Sequence, residues 1–296
     1  MRVVVIGKSG QLARCLVECA PAGAAIVCLG KRECDITSLS PDFGALVSYR
    51  PDIVINAAAY TAVDRAESDR EAAFALNAHG PGRLAAFTAA RGVPLIHVST
   101  DYVFDGAGSR PYVETDSPAP LNIYGESKLE AEWAIARAQP QNIILRTSWL
   151  FSAYGNNFVK TMIHLARERD RLRIVADQFG CPTSAHELGT CIWEVVRRID
   201  NAAGTFRSWG IYHYAGSGAT NWADFADAIF ASPQAKLANV PAIDRVSADE
   251  YPTPAIRPRY SVLDCTKIAT LLDIHPRPWK AGLQDALIRM RESASA

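Results

Sequence analysis

The stretch NIYGESK, residues 122–128, sets Tyr124 and Lys128 four residues apart. On a helix that spacing puts phenol and amine on one face. A free phenol titrates near about pH 10 and exchanges protons poorly in neutral water. A nearby ammonium stabilises the phenolate and draws the value toward neutrality. Such a pair is suited to giving a proton to an oxygen, as reduction of a carbonyl requires. A surface helix also produces the spacing by chance, so the surroundings must decide. They add Ser99, Thr100 and Asp101, at the end of the apolar run VPLIHVS (93–99). A hydroxyl there can bind a carbonyl oxygen and share the proton; the alternative is ordinary turn chemistry at a strand end.

The first apolar run closes in GKSGQLA, residues 7–13. Gly7 and Gly10 match the first two glycines of a dinucleotide fingerprint, one residue wider than G-x-G, and Ala13 stands in the third place. A glycine turn between strand and helix lets backbone N–H groups and the helix N-terminus hold a pyrophosphate. By itself it is also just a tight turn, but its place at the first junction favours a nicotinamide coenzyme. Lys128 could then hydrogen-bond the nicotinamide ribose, tying proton supply to coenzyme position. The second apolar run ends in Gly30, Lys31 and Arg32, where a ribose-binding acid is usual. Two cations in place of an acid favour a 2′-phosphate, hence NADPH over NADH, with NADH still possible. A solvated cationic loop is the alternative. Asp35 and Ile36 follow closely and are expected beside the adenine, Asp35 accepting from its amino group.

These groups need a frame. Continuous apolar runs at 2–7, 24–30, 51–59, 93–99 and 142–148 suit strands buried on both faces. Helix-like stretches at 69–77 and 129–138 lie between them; in the latter, Leu129, Trp133 and Ala136 share one face. The repeat predicts an α/β fold, a doubly wound parallel sheet of Rossmann type. After about Leu150 the rhythm loosens. Amphipathic helices are predicted at 158–171 and 220–230, followed by the proline-rich loop 251–260. Residues 1–150 are read as a dinucleotide-binding domain. Residues 151–296 are read as mainly a smaller α/β substrate-binding domain, some later segments returning to the first.

The 296 residues, 49% hydrophobic and 21% charged, describe an ordinary globular chain of about two domains. Thirty-one basic residues balance 31 acidic ones, with no basic block, which argues against a nucleic-acid partner or an anionic membrane. No apolar run approaches a membrane span, and Met1 leads straight into the first strand, leaving no room for a signal peptide. Seven cysteines lack metal-ligand spacing; Cys15 and Cys19 have no second pair to complete a site, so no metal is assigned. A reducing compartment, the cytoplasm, is expected.

Three blocks, STDYVFDG (99–106), PLNIYGESKLEAE (120–132) and RTSWLF (146–151), together resemble the extended short-chain dehydrogenase/reductases, and within them the dTDP-4-dehydrorhamnose reductases. INAAAYTAVDRAE (55–67), GNNFVKTM (155–162), DQFGCPTSA (177–185) and YPTPAIRP (251–258) extend the resemblance over nearly the whole chain. It implies NADPH-dependent reduction of the C4 keto group of a sugar nucleotide. Thr100, Tyr124 and Lys128 would take the catalytic positions. Gly10, Gln11 and Leu12 would line the pyrophosphate, and Ala58, Ala59, Tyr60 and Thr61 would pass beside the coenzyme. Asp101 and Trp149 would contact the sugar nucleotide, and Arg257 its diphosphate. Read alone, Trp149 is a core aromatic and Arg257 a surface cation. The resemblance also implies, for some members, dimers bridged by magnesium between acidic side chains. Here Arg14 and Cys15 stand near the first helix and His186 precedes Glu187, so monomer and homodimer both stay open. Two alternatives follow from related proteins: a reductase of another 4-keto-6-deoxy sugar nucleotide, or a non-catalytic regulatory subunit. The complete Thr100, Tyr124 and Lys128 set argues against the second.

Overall fold

The computed structural model describes residues 1–39, 41 and 43–295. The five apolar runs become β1 (Arg2–Ile6), β2 (Ala25–Leu29), β3 (Ile53–Asn56), β4 (Leu95–Thr100) and β5 (Asn142–Thr147). Shorter strands follow: β6 (Leu150–Phe151), β7 (Arg171–Val175), β8 (Phe179–Gly180), β9 (Thr183–Ser184), β10 (Gly210–His213), β11 (Thr220–Asn221) and β12 (Ala242–Val246). A six-stranded sheet runs β10-β5-β4-β3-β1-β2, every pair parallel. The fold is therefore α/β with a doubly wound parallel sheet.

Helices cover both faces: α1 (Gln11–Glu18), α2 (Gly44–Tyr49), α3 (Val63–Ala66), α4 (Arg70–Phe74), α5 (Gly80–Ala89), α6 (Ile123–Ala138), α7 (Phe158–Glu168), α8 (Ala185–Asn201), α9 (Trp222–Phe230), α10 (Thr266–Leu272) and α11 (Trp279–Ser295). Strand side chains alternate between faces. Val3 and Val5 join Leu12, Leu16, Leu188 and Ile192 in one core, while Val4 and Ile6 join Leu46, Leu84, Ala131 and Ile135 in the other. Burial on both faces holds for β3 and β5 but not for β2, an edge strand whose residues are mostly half-covered.

Residues 151–296 enter three cores, one of them through Cys181, Ala215, Val262 and Leu263 beside Val103 and Phe104. β10 and α8 complete the main sheet and one of its faces, while α7, α9 and α11 pack around Phe225, Trp279 and Leu283. No helix among the described residues is long and apolar enough to cross a membrane.

Two helix expectations need correction. α7 stops at Glu168 and Arg171 already belongs to β7, so the predicted helix over 158–171 overran. In α6 Leu129 is buried as expected, but it shares the buried side with Lys128, Ala131, Glu132 and Ile135, whereas Trp133 is 49% exposed and Ala136 is exposed. The apolar stripe misled because two charged side chains on this helix have partners inside the protein. Glu132 is locked to Arg146 of β5 at 2.6 Å, and Lys128 reaches the Val98 carbonyl oxygen at 2.6 Å.

Candidate active site

Coming from β2, the chain reverses direction across the sheet between β1 and β3. Loops leaving the carboxyl ends of these strands diverge there and open a crevice. A cavity of about 560 Å³ fills it, lined by the turn after β1, the loop after β3, the ends of β4 and β5, and the start of α6.

Gly10 caps the N-terminus of α1, and a side chain built on it would meet nothing within 4 Å. The N-terminal turn of α1, Gly10 to Leu12, lines the cavity, where unpaired helix N–H groups can receive an anion. Gly7 sits behind the turn with φ of 108°, and a Cβ there would lie 3.1 Å from the Ala58 nitrogen. Both the left-handed backbone and the close approach to β3's loop demand glycine. Gln11 and Leu12 line the cavity. The Gln11 side chain also accepts from Ser152 Oγ at 2.9 Å and Asn157 Nδ2 at 3.0 Å, tying the turn to the later chain.

At the end of β2 the structure corrects the reading that an acid is missing. Glu33 folds back, accepting from the Gly30 N–H at 3.0 Å and pairing with Lys8 at 2.9 Å. Lys31 and Arg32 remain exposed, Lys31 standing 3.8 Å from Asp35. Asp35 is occupied by the Thr37 hydroxyl at 2.6 Å and its N–H at 2.9 Å, which hold its carboxyl below the usual range. Ile36 is core, 2% exposed.

Ala58, Ala59 and Thr61 line the cavity. Tyr60 points elsewhere, donating its hydroxyl to Asp69 at 3.0 Å. Asn77 fixes this loop. It accepts from the Tyr60 N–H at 2.7 Å and donates to the Tyr60 carbonyl and Ser127 Oγ, both at 3.0 Å. It lies in a π-helical turn, 75–79, between α4 and α5, a wider turn of the kind found near functional sites. No motif marked Asn77 in the sequence.

Thr100, Tyr124 and Lys128 meet on the cavity wall. The Thr100 hydroxyl lies near enough to the Tyr124 phenol to oppose the rise in its pKa. Ser99 is turned away, donating to Glu132 at 2.5 Å, so Thr100 is the hydroxyl left facing the cavity. The expectation that Lys128 draws the phenol toward neutrality fails here. Burial, opposed by the nearby Thr100 hydroxyl and aided by the charge of Asp101, pushes Tyr124 up to about 12. Lys128 Nζ faces the Val98 carbonyl and His97 Nε2, at 2.6 and 3.2 Å. Burial, partly offset by Glu132, brings it down to about 8. The site as it stands holds a neutral phenol, which is a proton donor.

Asp101 accepts from Ser261 Oγ at 2.5 Å and Thr100 Oγ1 at 3.1 Å, but burial outweighs these bonds and lifts it to about 7. Trp149 adopts φ of 46°, rare for so large a residue. Its indole stacks on Trp222, ring centres 3.5 Å apart, and lies over Gly180, where a Cβ would come within 2.6 Å of it. Trp149 lines the cavity, its ring held by these two contacts.

Arg257 does not line this cavity. It borders a separate one and is held by Asp64 at 2.8 Å. Near α1 and α8 the acids have cationic neighbours. Glu18 of α1, an acid the sequence reading passed over, stands 3.9 Å from Arg289, and Glu187 3.1 Å from Arg277. Among the described residues no group of three or more His, Cys, Asp or Glu is placed to hold a metal ion.

The chain matches the family described as RmlD substrate binding domain over residues 1–292. It is 44% identical over 281 residues to a dTDP-4-dehydrorhamnose reductase of Sinorhizobium fredii, covering 95% of this chain and 94% of that one. It is 39% identical over 299 residues to that of Escherichia coli K12, covering 97% of each. A solved dTDP-4-dehydrorhamnose reductase from Clostridium acetobutylicum superposes with a TM-score of 0.90 at 33% identity, covering 98% of this chain and 100% of that chain. One from Bacillus anthracis, in complex with NADP, gives 0.87 at 36% identity, covering 97% and 99%.

Proposed function

The chain belongs to the RmlD substrate binding domain family, and on that premise we propose that it reduces the C4 keto group of dTDP-4-dehydro-L-rhamnose with NADPH, giving dTDP-L-rhamnose. The observation that carries the reading is one cavity lined both by the turn into α1 and by Thr100, Tyr124 and Lys128. Coenzyme and carbonyl can then meet.

The turn 7–10 and the first N–H groups of α1 hold the pyrophosphate. Ala58, Ala59 and Thr61 flank the coenzyme, and Lys31 and Arg32 face a 2′-phosphate. When bound, the reduced nicotinamide supplies the hydride that forms the new C4–H bond. Tyr124 supplies the proton: its O–H bond breaks as the C4 oxygen becomes a hydroxyl. Thr100 binds that oxygen and steadies the phenol. Lys128 supports the phenolate left behind and the nicotinamide ribose. Trp149 packs on the sugar nucleotide, with Asp101 beside it at the Thr100 end. Arg257 could reach a diphosphate only by giving up Asp64, so its role is the support of its own loop. The enzyme works in the cytoplasm, on a soluble sugar nucleotide.

The test is direct. With dTDP-4-dehydro-L-rhamnose and NADPH, the reduced coenzyme should be consumed and the product should carry the rhamno configuration at C4. Tyr124→Phe should lose on the order of 10²–10⁴ in kcat while still binding NADPH. Undiminished turnover by that variant would refute the assignment of the proton donor; a different C4 epimer would move the protein to another 4-keto-6-deoxy sugar.

A further inference from the structure

Lys128 is 1% exposed, yet no carboxylate is free to pair with it. Glu132, one turn on, is held by Arg146 Nη2 at 2.6 Å and Nε at 3.0 Å and by Ser99 at 2.5 Å. Lys128 Nζ instead donates to the Val98 carbonyl at 2.6 Å and faces a ring nitrogen, His97 Nε2, at 3.2 Å. The other ring nitrogen, Nδ1, lies 3.1 Å from Asn56 Nδ2. A backbone donor fixes that amide: the Ala58 N–H donates to Asn56 Oδ1 at 3.2 Å, so Nδ2 must face the ring. An amide NH₂ only donates. Nδ1 therefore accepts, and the one proton of a neutral imidazole sits on Nε2, aimed at Lys128. His97 is neutral, since burial and then the charge of Lys128 hold it well below its usual range. A donor opposed to an ammonium repels it; the same donor opposed to the lone pair of an amine makes a hydrogen bond.

We propose that His97, oriented by Asn56, is a positioning residue that favours the neutral amine of Lys128 in the empty site, so that at alkaline pH coenzyme binding takes up a proton at Lys128. The inference rests on the coenzyme reading above. Ala58 lines the coenzyme wall, so the chain Ala58–Asn56–His97–Lys128 runs from that wall to the amine. A coenzyme rich in phosphate brings negative charge into the cavity and ribose oxygens that accept from an ammonium, which favours the charged form. The other ionisable groups near Lys128 are Tyr124 and Glu132 from α6, Asp101 beyond β4, and Arg146 from β5, itself beside His213 of β10 at 3.5 Å. Of these, Glu132 alone acts on the lysine, and burial outweighs it.

Calorimetry of NADPH binding in two buffers of different ionisation enthalpy counts the protons. Wild type should take up about one proton near pH 9 and little near pH 6.5, where Lys128 is already charged. His97→Leu removes the opposing donor, so uptake near pH 9 should fall by at least half. His97→Gln can accept from Asn56 and donate to Lys128, and should restore it. Asn56→Asp accepts from both Ala58 N–H and Nδ1–H, reverses the tautomer, and should abolish uptake even if His97→Leu does not fold. Lys128→Met should show none. Wild-type binding without proton uptake, or uptake unchanged in both His97→Leu and Asn56→Asp, overturns the proposal and leaves the coenzyme reading intact. Failure of wild type to bind NADPH overturns both.

Discussion

Asp101 shows how a single residue at this site acts on the stability of the whole. Its carboxyl rises from an ordinary 3.8 to about 7 because burial outweighs two hydroxyl partners. The folded chain then holds this proton more tightly than the unfolded chain. The cost is absent below the unfolded value, grows as pH rises between the two, and is complete above the folded one. A displacement of that size corresponds to roughly 4 kcal/mol. Asp101→Asn removes the titration. Its unfolding free energy relative to wild type should therefore climb by up to that amount between about pH 4 and pH 7, as read by denaturant titration at several pH values. A flat difference would mean that the folded chain does not desolvate the carboxyl. Such a residue is only half legible in sequence. STD at the end of an apolar run marks Asp101 for the site, but its burial depends on Ser261, 160 positions away. His97 is similar. A polar residue inside VPLIHVS is a visible anomaly, while its partner Asn56 sits on another strand.

At the scale of elements, what the sequence reveals follows burial. β1, β3 and β5 each hold an unbroken apolar run (Val3–Ile6, Ile53–Ile55 and Ile143–Leu145) because helices cover both faces, and each was legible as a strand. The buried face of α6 was not, since Lys128 and Glu132 look like surface residues until β4 and β5 supply their partners. The π turn at 75–79 left no trace in composition, yet it aims Asn77 at both Tyr60 and Ser127. Asn77 is 0% exposed, so truncating it strands the Tyr60 N–H and carbonyl without replacements. Asn77→Ala should cost roughly 2–4 kcal/mol of stability. It should also weaken NADPH binding several-fold, because the loop 59–61 borders the cavity. Asn77→Asp keeps the acceptor for Tyr60 N–H but loses both donors, and should fall between. Denaturation midpoints and coenzyme titrations of the two variants check the order; equal stability of Asn77→Ala and wild type would show that the π turn does not anchor the loop.

The whole molecule has 31 basic and 31 acidic residues, so no net charge steers an anionic coenzyme from a distance. Any preference for a 2′-phosphate must arise locally, from groups within about 8–10 Å, the reach of charge at ordinary salt. At the end of β2 those groups are Lys8, Lys31, Arg32 and Glu33. The Lys8–Glu33 pair cancels itself at 2.9 Å, and Lys31 shares Asp35 at 3.8 Å. The net excess is small, which predicts a moderate preference for NADPH, not an exclusive one. Two variants and a salt series resolve it. Lys31→Ala with Arg32→Ala should raise the Kd for NADPH about tenfold and leave that for NADH nearly unchanged, since charge-assisted bonds to the phosphate are lost alone. Glu33→Gln releases Lys8 and should widen the gap in favour of NADPH. Raising salt should narrow the gap in wild type and hardly matter in the double variant. Melting temperature reports all of this, because a ligand present at 100 times its Kd adds about 2.7 kcal/mol to the fold. If both coenzymes shift the melting temperature equally in wild type, and neither Glu33→Gln nor salt separates them, selection does not reside at the end of β2.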